Sequence, residues 1–165
     1  GSHQPIPCPS GTFQDDPEKS SCKVCPPGSF CLEVLANPRV GIPSPTACPA
    51  GFYCEQGARS GDQTPCRPGT YLSTQSNDSP EDCVPCEPGK YCDELGASSV
   101  AGNCDAGYYC IRGAIIPNPM DGATGNICLP GTYCPAGSSS PTPCPEGKYC
   151  SDLATGAPAG DCHDG

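Results

Sequence analysis

The sequence Cys128-Leu129-Pro130-Gly131-Thr132-Tyr133-Cys134 is one clear copy of a pattern, CxxGxYC, that governs the whole chain. Cys, two residues, then Gly recurs nine times, beginning at Cys8, Cys25, Cys48, Cys66, Cys86, Cys104, Cys128, Cys144 and Cys162. In eight copies the sixth place is aromatic: Phe13, Phe30, Tyr53, Tyr71, Tyr91, Tyr109, Tyr133 and Tyr149. Six copies close with a second cysteine directly after the ring, at Cys31, Cys54, Cys92, Cys110, Cys134 and Cys150. The copies at Cys8 and Cys66 stay open there and run on to Cys22 and Cys83. Glycine at the fourth place points to a tight turn with positive φ or close backbone approach. The ring beside a half-cystine is expected to lie over the disulfide and stand in for a core.

A chain of this kind cannot fold by oil-drop collapse. Of 165 residues only 35% are hydrophobic, a share that already includes 17 Cys, and there is no Trp. Cysteine exceeds a tenth of the chain, and the 23 Pro and 21 Gly together exceed a quarter. That composition predicts a small disulfide-rich fold, an elongated tandem array of cysteine-rich modules with short strands, turns and little helix. Each bridge restricts the unfolded chain by about 2 to 4 kcal/mol, so roughly eight bridges substitute for the missing core. So many half-cystines with two His imply an oxidising setting: extracellular, secreted or at the cell surface. The competing zinc reading rests on the CxxC pairs Cys22/Cys25 and Cys83/Cys86, which lie 61 residues apart, far beyond zinc-ribbon spacing.

The open and closed copies form a longer repeat. Cys8, Cys22, Cys25, Cys31, Cys48 and Cys54 map in order onto Cys66, Cys83, Cys86, Cys92, Cys104 and Cys110, offset by 56 to 61 residues. The expected organisation is a lead over 1–7, a first unit over 8–54, a linker over 55–65 and a second unit over 66–110. A linker or docking loop over 111–127, a closed pair over 128–150 and the start of a further repeat over 151–165 follow. Leu32, Val34 and Leu35 suggest a helical turn that Pro38 ends. Spacing leaves the bridges open. One scheme crosses them: Cys8 with Cys22, Cys25 with Cys48, Cys31 with Cys54, Cys66 with Cys83, Cys86 with Cys104, Cys92 with Cys110, Cys128 with Cys144, and Cys134 with Cys150. The other joins each closing cysteine to the next opening one, such as Cys150 with Cys162, but strands Cys25 and forces a CxxC bridge. In the crossed scheme Cys162 is left unpaired, or paired outside the segment. The unfinished motif there, and the absence of an initiator Met, a signal peptide and a membrane-spanning run, suggest a piece of a longer protein.

Cys66-Arg67-Pro68-Gly69-Thr70-Tyr71 running to Cys83, then Val84-Pro85-Cys86, resembles the ephrin-receptor-like cysteine-rich repeat. The open modules also resemble the first module type of tumour necrosis factor receptor repeats. The closed form is similar to tandem arrays in very large surface proteins of protists and invertebrates. The resemblance implies a ladder of small disulfide modules and leaves receptor, adhesive and filament roles open.

Catalysis finds no foothold in the sequence, since His3 and His163 are both terminal and no nucleophile motif or phosphate-binding loop appears. No cofactor is expected. The net charge of −10, with eight Lys plus Arg, argues against nucleic acid and anionic membrane surfaces as partners. Acidic clusters at Asp15, Asp16 and Glu18, at Asp78, Glu81 and Asp82, and at Asp93 and Glu94 fit no calcium-loop pattern and read as solvated surface. Asn77-Asp78-Ser79 is an N-glycosylation acceptor with Pro80 behind it, and Thr46, Thr64 and Ser138–Thr142 are candidates for O-linked sugars. Ile111, Ile115 and Ile116 either dock a protein ligand or cover a neighbouring disulfide, and Leu32–Ile42 is a second candidate contact surface. The expected partners are further repeats of the same protein, other copies of it, or a protein ligand. The expected role is a non-enzymatic spacer, adhesive stalk or filament subunit, with a receptor ectodomain as the alternative.

Overall fold

The computed structural model describes residues 7–16, 18–32 and 44–163. Apart from the exposed Leu32, the expected helical turn of Leu32, Val34 and Leu35 and the Leu32–Ile42 surface lie outside them. Among the described residues, regular structure is confined to fourteen strands of two or three residues and one turn of 3₁₀ helix at Pro80–Asp82. The strands pair antiparallel as seven separate two-stranded ribbons. In each ribbon the fifth and sixth motif residues pair with those just before the next opening cysteine. Lys90–Tyr91 lies against Gly102–Asn103, and Thr132–Tyr133 against Thr142–Pro143. So short a ribbon is not stable alone, and the bridges and inter-motif bonds must hold it.

The chain forms two compact units. One comprises the chain through Cys66 together with Leu72–Cys83, and the other Arg67–Tyr71 together with Val84 onward. The division thus runs through the second open module. Nor are the expected linkers bare: the Tyr53 amide donates to the Thr64 carbonyl at 3.1 Å, and the Cys31 amide donates to Ala58 at 3.0 Å. Within 111–127, Gly125–Ile127 pairs with Tyr108–Cys110, and the Ile111 amide donates to Thr124.

Eight disulfides join Cys8–Cys22, Cys25–Cys31, Cys48–Cys54, Cys66–Cys83, Cys86–Cys92, Cys104–Cys110, Cys128–Cys134 and Cys144–Cys150. The two open-module bridges are those the crossed scheme gives. The other six correct it: Cys25 does not join Cys48, Cys31 does not join Cys54, and the same holds for Cys86 with Cys104, Cys92 with Cys110, Cys128 with Cys144 and Cys134 with Cys150. Every closed motif bridges itself instead. The reason is the fourth-place glycine, whose φ of +78° to +89° throughout motifs one to eight folds the segment back on itself. The two cysteines of one motif then stand 5.8–6.2 Å apart at Cα, within disulfide reach. Cys162 is free and exposed.

The core is the sulfur itself. Cys25, Cys31, Cys48, Cys54, Cys86, Cys92, Cys104, Cys110, Cys128 and Cys134 are fully buried, while all the sixth-place rings stay half-buried except Tyr149, which is exposed. Tyr91 packs on Cys104, Cys110 and Ala114, so this ring covers the next motif's bridge. Ala114 and Pro119 are the buried apolar residues of the 111–127 loop; Ile111, Ile115 and Ile116 are each between 42% and 48% exposed.

Candidate functional site

Because disulfides close motifs onto themselves, something else must join one motif to the next. The backbone of the turn does so, through bonds that recur at fixed places. The first rule concerns the glycine amide, which donates to the seventh-place carbonyl of the following motif. Gly11 donates to Cys31, Gly28 to Cys54, Gly69 to Cys92, Gly89 to Cys110, Gly107 to Cys134 and Gly131 to Cys150, all at 2.7–2.9 Å. The second concerns the glycine carbonyl, which accepts from the next opening cysteine amide, from Cys25 on Gly11 through to Cys162 on Gly147. Each turn therefore holds the following motif at both ends.

A third contact skips further ahead. Left-handed backbone recurs three or four residues beyond the seventh place of motifs three to eight, at Gly57, Ser76, Gly96, Gly113, Gly137 and Ala154. In five of them the amide donates to the opening-cysteine carbonyl of the motif before: Gly57 to Cys25, Ser76 to Cys48, Gly113 to Cys86, Gly137 to Cys104 and Ala154 to Cys128, at 2.8–3.0 Å. The carbonyl one residue later accepts from that same motif's closing cysteine, as Cys31 to Ala58, Cys92 to Ala114 and Cys134 to Thr155. The left-handed residue's own carbonyl covers the glycine one motif earlier still. A β-carbon on Gly11 would come within 2.6 Å of the Gly57 oxygen, and one on Gly69 within 2.7 Å of the Gly113 oxygen. Within each unit, three successive motifs are thus interlocked by main chain alone.

The open modules show that the ladder does not depend on a seventh-place cysteine. Leu72 occupies that place in the fourth motif and is buried, and its carbonyl still accepts from the Gly51 amide at 2.8 Å. Gln14 occupies it in the first motif; it too is buried, and its amide nitrogen donates to the Ser21 carbonyl. Sequence reading missed the left-handed position. Its glycines at 57, 113 and 137 were the available signal, and Ser76 and Ala154 at the same place hid it.

The family profile described as tyrosine-protein kinase ephrin type A/B receptor-like matches residues 1–36. Cysteine repeat modular protein B of Toxoplasma gondii is 30% identical over 154 residues, covering 84% of this chain. The chain carries tandem cysteine-rich repeats, similar over residues 1–36 to the ephrin-receptor-like profile and over most of its length to the Toxoplasma protein. It spans 2% of the length of that Toxoplasma relative. In these repeats the open copies at Cys8 and Cys66 and the closed copies follow the same backbone hydrogen-bond rules.

Asn77 is half-buried; its side-chain nitrogen donates to the Thr74 carbonyl at 2.7 Å and its side-chain oxygen accepts from the Thr74 hydroxyl at 3.1 Å. The Thr64 hydroxyl donates to the Tyr53 carbonyl, whereas Thr46 is exposed. The first two acidic clusters make local bonds. Asp15 pairs with Lys23, whose hydrogen bond holds the carboxyl below its ordinary range, and Asp82 accepts from the Asp78 and Ser79 amides. The Ser79 hydroxyl holds Glu81 low in the same way. Asp93 and Glu94 line a shallow, mostly polar depression with Tyr91. No grouping of metal-ligating side chains occurs among the described residues, and no helix is long and apolar enough to cross a membrane.

Proposed function

We propose that this array is a non-enzymatic structural segment of a large secreted or cell-surface protein, serving as a spacer, adhesive stalk or filament subunit. The observation that carries this reading is the three-motif interlock. It uses backbone groups at every step, so surface side chains can vary while each unit keeps its geometry. Self-closed disulfides suit an oxidising, protease-rich exterior, because each bridge forms within its own motif and needs no distant partner. Other copies of the protein or further repeats are the partners this reading calls for, with no nucleic acid and no direct membrane insertion. A glycan on Asn77 fits the same setting: one of its two side-chain amide hydrogens bonds the Thr74 carbonyl and the other is left for attachment. Electron microscopy of the native full-length protein without reductant tests the role. Ordered filaments with an axial repeat are the expected result for a building block; dispersed single particles would remove the filament form.

The second reading is a receptor ectodomain, favoured by the exposed Ile115 and Ile116 beside the turn at Gly69. Replacing both with Asp abolishes ligand capture and leaves secretion intact if this surface binds a protein. Loss of secretion would show that the two residues serve packing instead.

A further inference from the structure

One strip of the second unit carries opposite charges at its two ends, with aliphatic side chains between them. Tyr91 and Ala114 form a parallel bridge, and the Cys92 amide donates to the Ala114 carbonyl at 2.9 Å, so residues 91–93 and 114–116 run side by side in one direction. At the upstream end stands Arg112. Arg67 joins it there, because its turn, closed by the Thr70 amide on the Arg67 carbonyl, holds Gly69 against the Gly113 oxygen. At the downstream end stands Asp93, joined by Asp105, whose amide donates to the Pro117 carbonyl at 2.7 Å. All four charged residues are exposed, and so are Ile115 and Ile116 between them. Among the described residues Lys19, Lys23 and Lys148 pair with carboxylates and Lys90 donates to Asn103. Neither arginine of the strip, nor Asp93 nor Asp105, has such a side-chain partner among them. In a chain of net charge −10 this strip is therefore an exception, balanced in charge and apolar at its centre.

We propose that this strip is a two-fold contact between two copies of the chain. Arg67 and Arg112 of each copy face Asp93 and Asp105 of the other, and Ile115 and Ile116 pack at the centre. The choice of occupant rests on charge complementarity: a surface positive at one end and negative at the other matches itself when turned by half a revolution. An unrelated ligand has to bring a matching charge pair, whereas a second copy carries it already. Elsewhere the surface is acidic, and two copies repel; at physiological salt that repulsion is screened within about 8 Å, which leaves the close pairs at the strip to decide. A two-fold contact closes on itself and builds no filament alone, so the inference stands apart from the choice between filament, stalk and receptor.

Sedimentation equilibrium of the oxidised chain tests this, in a Cys162→Ser background that removes covalent dimers formed through the exposed thiol. At about 10 to 500 µM, a range suited to a small interface, the expected result is a reversible monomer–dimer equilibrium that weakens as salt is raised. A monomer throughout would overturn the proposal and return the strip to a protein ligand. Arg112→Glu and Asp93→Arg each set like charges opposite one another at both symmetric contacts, and each should weaken dimerisation at least about tenfold. An equal mixture of the two variants should recover the unaltered affinity to within about threefold, because each reversed charge then meets its opposite. Recovery on mixing also shows that both variants are folded. Single variants that dimerise like the unaltered chain, or a mixture that stays monomeric, would overturn the two-fold contact.

Discussion

The carbonyl oxygen of Gly137 occupies the place that a β-carbon on Gly89 would need. These two residues belong to different motifs, and their contact converts a local turn requirement into a long-range one. Glycine is demanded at position 89 twice over, once by φ and once by a neighbour.

Gly89→Ala and Gly131→Ala separate the two demands. Both impose left-handed strain of roughly 1–2 kcal/mol. Only Gly89→Ala adds a collision with a backbone carbonyl, about 1–3 kcal/mol more. Denaturant unfolding of the oxidised proteins should rank Gly89→Ala as clearly the less stable. Equal losses would mean that the inter-motif approach carries no weight.

Ser76 and Ala154 adopt left-handed backbone where the equivalent residues are Gly57, Gly113 and Gly137. Ala154→Gly relieves about 1–2 kcal/mol of strain. Against this stands about 0.4–1 kcal/mol of extra unfolded-state entropy. A net gain of roughly 0.5–1 kcal/mol in thermal or denaturant unfolding is expected, and a loss would contradict the assigned position.

Self-closure of the motifs is read directly by mass spectrometry. Cleavage of the non-reduced protein after Lys and Arg releases Val24–Arg39 and Val40–Arg59. With Cys25–Cys31 and Cys48–Cys54 each internal, the two peptides appear separately. Recovery of one joined species would restore the crossed pairing. The local bridges constrain the unfolded chain by about 2 kcal/mol each, roughly 1 kcal/mol less than crossed ones would. Order between motifs consequently rests on the hydrogen-bonded ladder.

Asp121 supplies a pH prediction. The backbone amide of Thr124, at 2.7 Å, then its hydroxyl and the Ala123 amide, hold the carboxyl below its ordinary value. A carboxyl depressed in the folded state contributes stability above its unfolded pKa and loses that contribution as pH falls through the folded one. The Thr124 amide resonance should therefore stay put on acidification through the ordinary carboxylate range and move only below it. Movement within that range would show that the turn does not form, and Asp121→Asn should abolish the step.

Local chemistry was legible from the chain. The CxxG turns of motifs one to eight, the aromatic sixth place, the bridges Cys8–Cys22 and Cys66–Cys83 and the small disulfide-rich fold follow from residue type and spacing, because a glycine of positive φ and a nearby cysteine act over a few residues. Sequence did not decide which closed cysteines meet, nor what Gly89, Ser76 and Ala154 are for. Cys25 has Cys31 and Cys48 equally available in composition, and only the direction of the turned backbone brings Cys31 to it. Left-handed Ser76 and Ala154 carry no residue-type signal, because their conformation is imposed by carbonyls and amides one and two motifs away. Backbone groups are the same in every residue, so a ladder made of them leaves no mark in the sequence until the motifs are stacked.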